Sequence, residues 1–270
     1  MSRRAFAMLL IAVVVGRGAA AADTPLRVLS YNIHHGRGTD GVVNLERIAA
    51  VIRGSAAGKV PRSSHMRIAV SGSHSLGKST VVNDWVAAHP EYRREEEPYR
   101  ALSLAGPYEI QFRDASTRLQ NGIQMYYSIS RVHRFSACTA DVIFDRAPVD
   151  YIAYSVYTAN QGTTDIDAAF VETLVPAVRE SLDHLDILAF VPKTDDWPVE
   201  MEADGIRPVD HAYRDEVDAI FKQIYREGRF QVMPATNGPH LVELWGPREL
   251  RLSQLQLAID ELAAMRSAPR

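Results

Sequence analysis

Short apolar runs alternate along the chain with longer stretches in which apolar residues recur every three or four positions. The runs have the length and the apolar, β-branched character of strands that are buried on both faces. They lie at residues 67–71, 140–145, 185–191 and 240–244. This alternation predicts an α/β fold, in which a mostly parallel central sheet is covered by helices on both faces.

Three helical stretches have a clear apolar face, which we interpret as core. Their apolar positions are, in chain order, Val81, Val82, Trp85 and Val86, then Val217, Ile220, Phe221 and Ile224, and finally Leu252, Leu255, Ile259 and Leu262. Tyr126, Tyr127 and Tyr154 are predicted to pack against the sheet.

The first apolar run leads directly into a phosphate-binding motif. Residues 72–79 fit the pattern G-x-x-x-x-G-K-[ST] at every fixed position, and a helical stretch follows them. In such a loop the backbone N–H groups point at phosphate oxygens, Lys78 reaches the outer phosphates, and the Ser79 hydroxyl can ligate Mg²⁺. The sequence therefore predicts ATP and Mg²⁺ as cofactors and the three-layer sandwich of P-loop NTPases. The predicted nucleotide-binding residues are Gly72, Ser73, His74, Ser75, Leu76, Gly77, Lys78, Ser79 and Thr80.

A carboxylate, Asp145, ends the second apolar run. A strand that ends in an acid beside the phosphate loop places that acid near the metal ion, so Asp145 and Ser79 are the predicted metal ligands. The histidines at 133, 184 and 211 are scattered without metal-ligand spacing, and no zinc site is expected.

Composition narrows the classes of partner. The chain of 270 residues has 30 Lys and Arg against 33 Asp and Glu, for a net charge of −3. This balance argues against nucleic acid or an anionic membrane as the main partner. The single cysteine, Cys138, excludes an internal disulfide. A homodimer is left open.

The first 65 residues carry signals that differ from those of the rest of the chain. Residues 1–23 resemble a secretory leader, with Arg3 and Arg4 before an apolar stretch and small residues after it. Residues 54–65 have the composition of a linker or of a tag-like scar from an expression vector. The main domain then spans residues 66–266. A native leader predicts export, which conflicts with the cytoplasmic location expected of an ATP-dependent domain.

Residues 24–53 resemble the opening of a different domain. The segment 26–36 is similar to the first strand of the endonuclease/exonuclease/phosphatase superfamily. This resemblance implies that Asn32 arranges a metal-dependent site for phosphodiester cleavage. The chain does not continue to the acidic metal ligand that this superfamily carries, so we interpret the segment as a fragment and a secreted phosphodiesterase as a remote alternative.

The main domain resembles small P-loop kinases of the nicotinamide-riboside-kinase and deoxynucleoside-kinase type, including kinase-like ATP-binding proteins of bacteria that carry the AAA label. The motifs that carry the resemblance lie at residues 72–80, 96–100, 145–151 and 246–248. The resemblance implies a kinase that uses Mg²⁺ and ATP to phosphorylate a nucleoside-like hydroxyl.

The same resemblance implies roles for two charged residues. Glu97, which precedes Pro98, corresponds to the carboxylate that accepts the proton of the substrate hydroxyl, and a solvated acidic turn at 95–97 is the alternative. Arg146 would bind a phosphate or the substrate, and a structural salt bridge with a neighbouring acid is its alternative. Ala147 stands where the family usually has a serine, so that hydroxyl contact is missing.

A lid and an acceptor pocket complete the predicted site. Residues 193–213 follow a strand and contain Pro and Gly, which fits a lid. Arg207 or Arg214 would close on the phosphates beside Lys78, and a solvent-facing role is the alternative for each. The residues at positions where related kinases read a base or sugar are Tyr99, Arg100, Gln111, Gln124 and Arg131.

Two other functions remain compatible with a phosphate loop. A regulatory ATPase would use hydrolysis to drive a conformational step, and a non-catalytic module would bind ATP without turnover. Such ATPases commonly have an Asp-Glu pair where this chain has Asp145-Arg146, and this difference favours a kinase.

Overall fold

The structure is a computed structural model that describes residues 11–12, 30–31, 65–104, 109–136, 138–201 and 210–267. The chain divides after Arg62 into two compact units. In the first unit, Ile11–Ala12 pairs with Ser30–Tyr31 in antiparallel fashion. Asn32, nearly all of the leader, and the linker except His65 lie outside the described residues. Export, a nuclease-like fragment and a scar therefore stay predictions.

The second unit is built on a parallel sheet of five strands. The strands are β1 (Arg67–Ser71), β2 (Arg93–Glu95), β3 (Val142–Asp145), β4 (Ile187–Phe190) and β5 (His240–Glu243). Their order across the sheet is β2-β3-β1-β4-β5. Four of them lie in the predicted apolar runs, which confirms the α/β prediction.

The described part of this unit has six helices, five before β5 and one after it. They are α1 (Lys78–Ala88), α2 (Arg118–Phe135), α3 (Asp150–Gln161), α4 (Ala168–Leu182), α5 (His211–Arg226) and α6 (Arg248–Ser267). Thr117, Asp167 and Asp210 cap α2, α4 and α5, because each side chain accepts a hydrogen bond from a backbone N–H of the first turn. Shorter helical turns lie at Arg100–Leu104, Arg113–Ala115 and Arg229–Gln231.

The helices form a layer on each face of the sheet. Ile68 and Val70 belong to a buried cluster with side chains of α1 and α6. Ala69, which points to the opposite face, belongs to a second cluster with side chains of α2, α3, α4 and α5. The three-layer sandwich is therefore confirmed.

Strand register decides where the site forms. Val70 lies opposite Asp145, and Ser71 lies opposite Phe190. The carboxyl ends of β1, β3 and β4 therefore meet at one edge, which is where ligands bind in open α/β sheets.

One side-chain prediction is wrong. Tyr126 is 45% exposed and does not pack against the sheet. The rings of His133 and His184, which are far apart in the sequence, lie with their centroids 4.3 Å apart. Burial is the main reason why the pKa of His184 is lowered to about 4. Among the described residues, no helix has both the length and the apolar composition needed to cross a membrane.

Candidate nucleotide and acceptor site

The phosphate loop joins β1 to α1 through backbone conformations that require glycine. Gly72 has φ 138, and a Cβ atom there would lie 2.6 Å from the carbonyl oxygen of Val191. Gly77 has φ 87 and forms the N-cap of α1. These positive φ values disfavour any side chain. The loop therefore curls over the N-terminus of a helix of 11 residues, where backbone N–H groups and the helix dipole attract an anion.

Lys78, the first residue of α1, is buried at 4% exposure. Its ammonium group donates to the carbonyl oxygen of Ser73 within the same loop. Burial, with a smaller contribution from the Arg146 charge, lowers the pKa of Lys78 to about 7, although three carboxylates act in the opposite direction. The structure thus holds the lysine inside the loop, with a charge that depends on pH near neutrality.

Asp145 and Ser79 offer oxygen ligands for a cation. Asp145 is 2% exposed, and its Oδ2 accepts from Arg94 Nη2 at 3.3 Å. Its Oδ1 is buried with no hydrogen-bond partner among the described residues. Ser79 lies half-buried in the first turn of α1. A carboxylate oxygen without a partner and a hydroxyl suit Mg²⁺, which prefers oxygen and keeps several waters.

Within the described residues, no group of three or more His, Cys, Asp or Glu side chains is arranged to hold a metal ion. A Mg²⁺ ion that arrives with a nucleotide does not need such a group, because phosphates and waters complete its shell. The residues present therefore fit Mg²⁺ bound together with ATP.

Arg146 and Glu97 form a buried ion pair. Arg146 Nε donates to Glu97 Oε1 at 2.8 Å, and the residues are 6% and 5% exposed. Arg146 has φ 96, a left-handed conformation that is uncommon for a residue with a side chain. The solvated acidic turn is therefore wrong for Glu97, and also for Glu95, which is 4% exposed. The salt bridge named as the alternative for Arg146 is present.

A cavity of about 390 Å³ lies next to this pair. Glu97 and Arg146 line it together with His74 of the phosphate loop, and much of the remaining wall is aromatic or carries amide groups. The other lining residues are Gln111, Phe112, Arg113, Asp114, Ala115, Ser116, Asn121, Gln124, Tyr151, Tyr154, Thr158 and Tyr213. An apolar cavity with a few polar groups is typical of a site for a small molecule.

The five predicted acceptor-binding residues lie in different places. Gln111 and Gln124 line the cavity. Tyr99 is not in the lining, but its ring packs edge-on against the ring of Phe112 at a centroid distance of 4.6 Å and so supports the wall.

The two predicted acceptor arginines lie away from the lining. Arg100 Nε lies 3.7 Å from Glu97 Oε2 with its side chain 45% exposed. Arg131 donates from Nε to Glu95 Oε2 at 2.6 Å. Neither side chain lines the cavity.

Of the two predicted lid arginines, Arg214 lies in the described residues. Arg207 lies within residues 202–209, outside the described residues. Arg214 is 7% exposed, and its Nη1 donates to the carbonyl oxygen of Val199 at 2.8 Å. The hydroxyl of Ser73 donates to the backbone oxygen of Arg214 at 2.9 Å. Arg214 therefore links the phosphate loop to the segment after β4, and its side chain does not line the cavity.

Several contacts at the site were not predicted from the sequence. The ring of His74, a predicted nucleotide-binding residue, packs against Tyr213 at a centroid distance of 4.7 Å. Arg113 has φ 61, lies over the Tyr213 ring and pairs with Asp210 at 3.2 Å. Asp150, within the motif at 145–151, is fully buried beside Arg146. The position of Asp150 in that motif was the one available signal.

Comparisons with known proteins agree with this geometry. The model of a family described as an AAA domain matches residues 67–240, more than half of the chain. The comparison with curated proteins finds no match. A crystal structure of NadR protein in complex with NR is similar with a TM-score of 0.51 and 17% identity, over 74% of this chain and 52% of that chain.

Deoxyadenosine kinase from M. mycoides with bound dATP is similar with a TM-score of 0.51 and 12% identity, over 72% of this chain and 100% of that chain. This chain thus spans about half the length of the NadR protein and all of the smaller kinase. Identities at this level show the fold alone. From the family match and the sheet described above, the chain belongs to the AAA domain family and has a P-loop kinase-like fold.

Proposed function

We propose that this protein transfers the terminal phosphate of ATP to a hydroxyl group of a nucleoside-like small molecule. The observation that carries the proposal is the position of Glu97. Its carboxylate lines a small-molecule cavity that His74 of the phosphate loop also lines. A base beside both an acceptor cavity and a phosphate site is what phosphoryl transfer to a hydroxyl requires.

Separate residues of the site hold the phosphates and the metal ion. The backbone N–H groups at the start of α1 and the Lys78 ammonium hold the phosphates of ATP. Asp145 and Ser79 would hold Mg²⁺, which neutralises charge on the phosphates when it is bound.

Transfer then needs a base at the acceptor. The acceptor oxygen attacks the terminal phosphorus, the bond to the bridging oxygen breaks, ADP leaves, and the acceptor proton passes to Glu97. Arg146, bound to Glu97, fixes the direction of this carboxylate.

The cavity supports a nucleoside-like acceptor. Tyr151, Tyr154 and Phe112 present faces or edges on which a ring can pack, and Gln111 and Gln124 present amide groups that can bond a base or sugar. One of the similar proteins is a deoxyadenosine kinase, whose acceptor is a nucleoside. We further place the reaction in the cytoplasm, where ATP is abundant, and the homodimer stays a prediction.

The experiment incubates the full chain with Mg²⁺, ATP and a panel of nucleosides, and detects phosphorylated product by mass spectrometry. Glu97→Gln is expected to reduce transfer by at least about a hundredfold while ATP still binds. Glu96→Gln is the matched control, because Glu96 is the neighbouring residue, has a side chain that is 40% exposed and pairs with Arg94. Lys78→Ala is expected to lose ATP binding and transfer together.

Two results would contradict the proposal. Tight ATP binding without a product from any nucleoside would favour a non-catalytic module. ATP hydrolysis that is equal in wild type and Glu97→Gln would favour a regulatory ATPase.

A further inference from the structure

Asn121 is a buried amide on the wall of the acceptor cavity that the proposed mechanism does not use. It lies near the start of α2, is 2% exposed and lines the cavity. A polar side chain that is removed from water needs hydrogen-bond partners. The partners of its amide nitrogen and of its amide oxygen therefore show what Asn121 can still bind.

Helix α3 fixes the direction of the Asn121 amide. The amide nitrogen Nδ2 donates to the carbonyl oxygen of Tyr151 at 3.0 Å and to the hydroxyl of Ser155, a fully buried residue. A backbone carbonyl can only accept, so Nδ2 and not Oδ1 must face α3. These two bonds use both N–H groups of the amide. Asn121 therefore has no donor left for a ligand, and it cannot turn over without losing these bonds.

The amide oxygen is the part of Asn121 that remains for a ligand. Oδ1 accepts no hydrogen bond from the described residues, and it is not sealed off from solvent. Since Asn121 is almost fully buried and lines the cavity, solvent reaches Oδ1 through the cavity. A molecule that fills the cavity displaces water from this oxygen. It must then offer a donor to Oδ1, because a buried carbonyl oxygen without a partner is costly.

Gln124 lies one turn further along α2 and also lines the cavity, but its amide is less constrained. Its Nε2 donates to the carbonyl oxygen of Gln120 at 3.4 Å, which is the single hydrogen bond of this amide to a described residue. The amide of Gln124 can therefore turn and present either its N–H groups or its oxygen to a ligand. Asn121 lacks this freedom, so Asn121 determines which chemistry a ligand must have at this wall.

We infer that Asn121 selects an acceptor whose base carries an amino or carboxamide group, and that an N–H of this group donates to Oδ1. The reacting hydroxyl must lie at Glu97, whereas Asn121 bonds to α3. Tyr151, whose carbonyl holds the Asn121 amide, also lines the cavity, so a planar base can pack beside the amide. The inference rests on the proposed function, because it places a nucleoside-like acceptor in this cavity.

An amino group suits Oδ1 better than a ring N–H does. The hydrogens of an amino group project beyond the ring, so one of them can reach Oδ1 without bringing a carbonyl oxygen close to it. The ring N–H of uracil or hypoxanthine has a carbonyl group beside it, and that oxygen would itself need a donor. Asn121 has none to give, because both of its N–H groups bond to α3. We therefore expect amino nucleosides to be preferred over their oxo counterparts.

The first experiment compares acceptors that differ only in this group, with the wild-type chain, Mg²⁺ and ATP. The pairs are adenosine and purine riboside, cytidine and its analogue with hydrogen in place of the amino group, and nicotinamide riboside and 3-acetylpyridine riboside. In the pair whose ring fits, kcat/KM is expected to be at least about tenfold higher for the member with the amino group. Equal kcat/KM within every pair that is phosphorylated would overturn the inference and leave the proposed function intact.

Asn121→Ala tests the residue itself. The preference for the amino member is expected to fall below about threefold, because alanine has no carbonyl oxygen that needs a donor. The Ser155 hydroxyl can then donate to the Tyr151 carbonyl one turn earlier, so the buried groups of α3 keep a partner. An unchanged preference, with both members of the pair slowed equally, would mean a structural role for Asn121 and would contradict the inference.

Asn160→Ala is the matched control. Asn160 lies on α3, is exposed and does not line the cavity. The same chemical change at this position is expected to keep both the rate and the preference of wild type. A loss of preference in Asn160→Ala equal to that in Asn121→Ala would contradict a role that is specific to Asn121.

Calorimetry separates this inference from the proposed function, and it needs the wild-type chain alone. It measures the Kd of both members of each pair in the absence of ATP. Tighter binding of the amino members, without transfer to any of them, would support the inference and overturn the proposed function. Transfer to both members of a pair with equal kcat/KM would do the opposite. Binding of no member of any pair would overturn both.

Discussion

Arg251 donates from Nη1 to the carbonyl oxygen of Leu76 at 2.7 Å, so the last helix holds the phosphate loop. Its Nε donates to the carbonyl oxygen of Gly246 at 2.9 Å. Arg251 is 7% exposed, and burial lowers its pKa. The guanidinium therefore ties the loop before α1 to the loop after β5, and neither contact involves a residue of the acceptor cavity.

Replacing Arg251 by methionine is expected to weaken both stability and ATP binding. The variant leaves two backbone carbonyl groups without their donor, at a cost of about 1–3 kcal/mol for a buried group. We expect a lower midpoint in urea and a higher Kd for ATP in calorimetry. Arg248→Ala is the control, because Arg248 begins the same helix but forms an exposed pair with Asp84. Equal effects in the two variants would contradict the role of Arg251 as a brace.

Lys78 is expected to make stability depend on pH. Its pKa is about 7 in the folded protein against a usual value of 10.5, so between these values the unfolded chain binds a proton that the native chain lacks. The free energy of unfolding therefore gains a contribution that rises with pH across this window. Urea denaturation at several pH values should show a shallower rise for Lys78→Met than for wild type.

Lys222→Met is the control for that experiment. Lys222 lies on α5 with its side chain 30% exposed and pairs with Asp218 at 2.7 Å. This variant is expected to keep the pH dependence of wild type. A wild-type slope in Lys78→Met would contradict the assignment.

The sequence was sufficient to name residues of the site but not to predict which of them form an ion pair. Glu97 and Arg146 each lie in a short motif, and both could be named on that basis. The two residues are 49 positions apart, so their ion pair depends on how β2 and β3 lie in the sheet. A local motif does not contain this information.

Other features escaped prediction for reasons that are specific to each. Strand β2 consists of Arg93, Arg94 and Glu95, which show no apolar alternation. This strand lies at the edge of the sheet and pairs with β3 alone, and edge strands often carry charged side chains. Arg131 was expected at the acceptor, but its side chain pairs with Glu95 of that strand. The outward direction of Tyr126 depends on which face of α2 packs, and the mixed sequence of this helix does not define it.

Arg94 is expected to oppose metal binding at Asp145. Its Nη2 lies 3.3 Å from Asp145 Oδ2, where its positive charge disfavours a divalent cation. Arg94→Gln is expected to lower the Kd for Mg²⁺ in the presence of ATP by at least about threefold, since one charge at such a distance changes the free energy by about 1 kcal/mol even in water, and Asp145 is buried. Titration with Mn²⁺, followed by electron paramagnetic resonance, measures the affinity directly.

Arg93→Gln is the control for the metal titration. Arg93 lies on the same strand and donates to Glu95 at 3.0 Å. Its removal is expected to leave the Kd for the metal unchanged. Weaker metal binding in Arg94→Gln would contradict the competition and would indicate that Arg94 orients Asp145 for the metal.

Asp186 is expected to contribute far more to stability than an exposed carboxylate with an equally close partner. Asp186 Oδ2 accepts from Arg67 Nε at 2.9 Å and from the Arg67 N–H at 2.8 Å, and the carboxylate is fully buried. Asp186→Asn leaves the guanidinium of Arg67 buried with its charge uncompensated, at a cost of about 3–5 kcal/mol. Urea denaturation measures this loss as a change in the free energy of unfolding.

Asp167→Asn provides the comparison, because Asp167 forms an ion pair of similar length that is exposed to water. Asp167 Oδ2 lies 2.7 Å from Arg118 Nη2, but the two side chains are 58% and 43% exposed. Asparagine can also keep the N-cap of α4, so only the exposed charge pair is lost, at about 0–1 kcal/mol. The two ion pairs have nearly the same length, so distance does not explain a large difference between the variants. Burial does, and it acts on two cations, because Arg266 Nη2 also donates to Asp186 Oδ1. Equal losses would contradict this account, because they would mean that water reaches Arg67 when Asp186 no longer carries a charge.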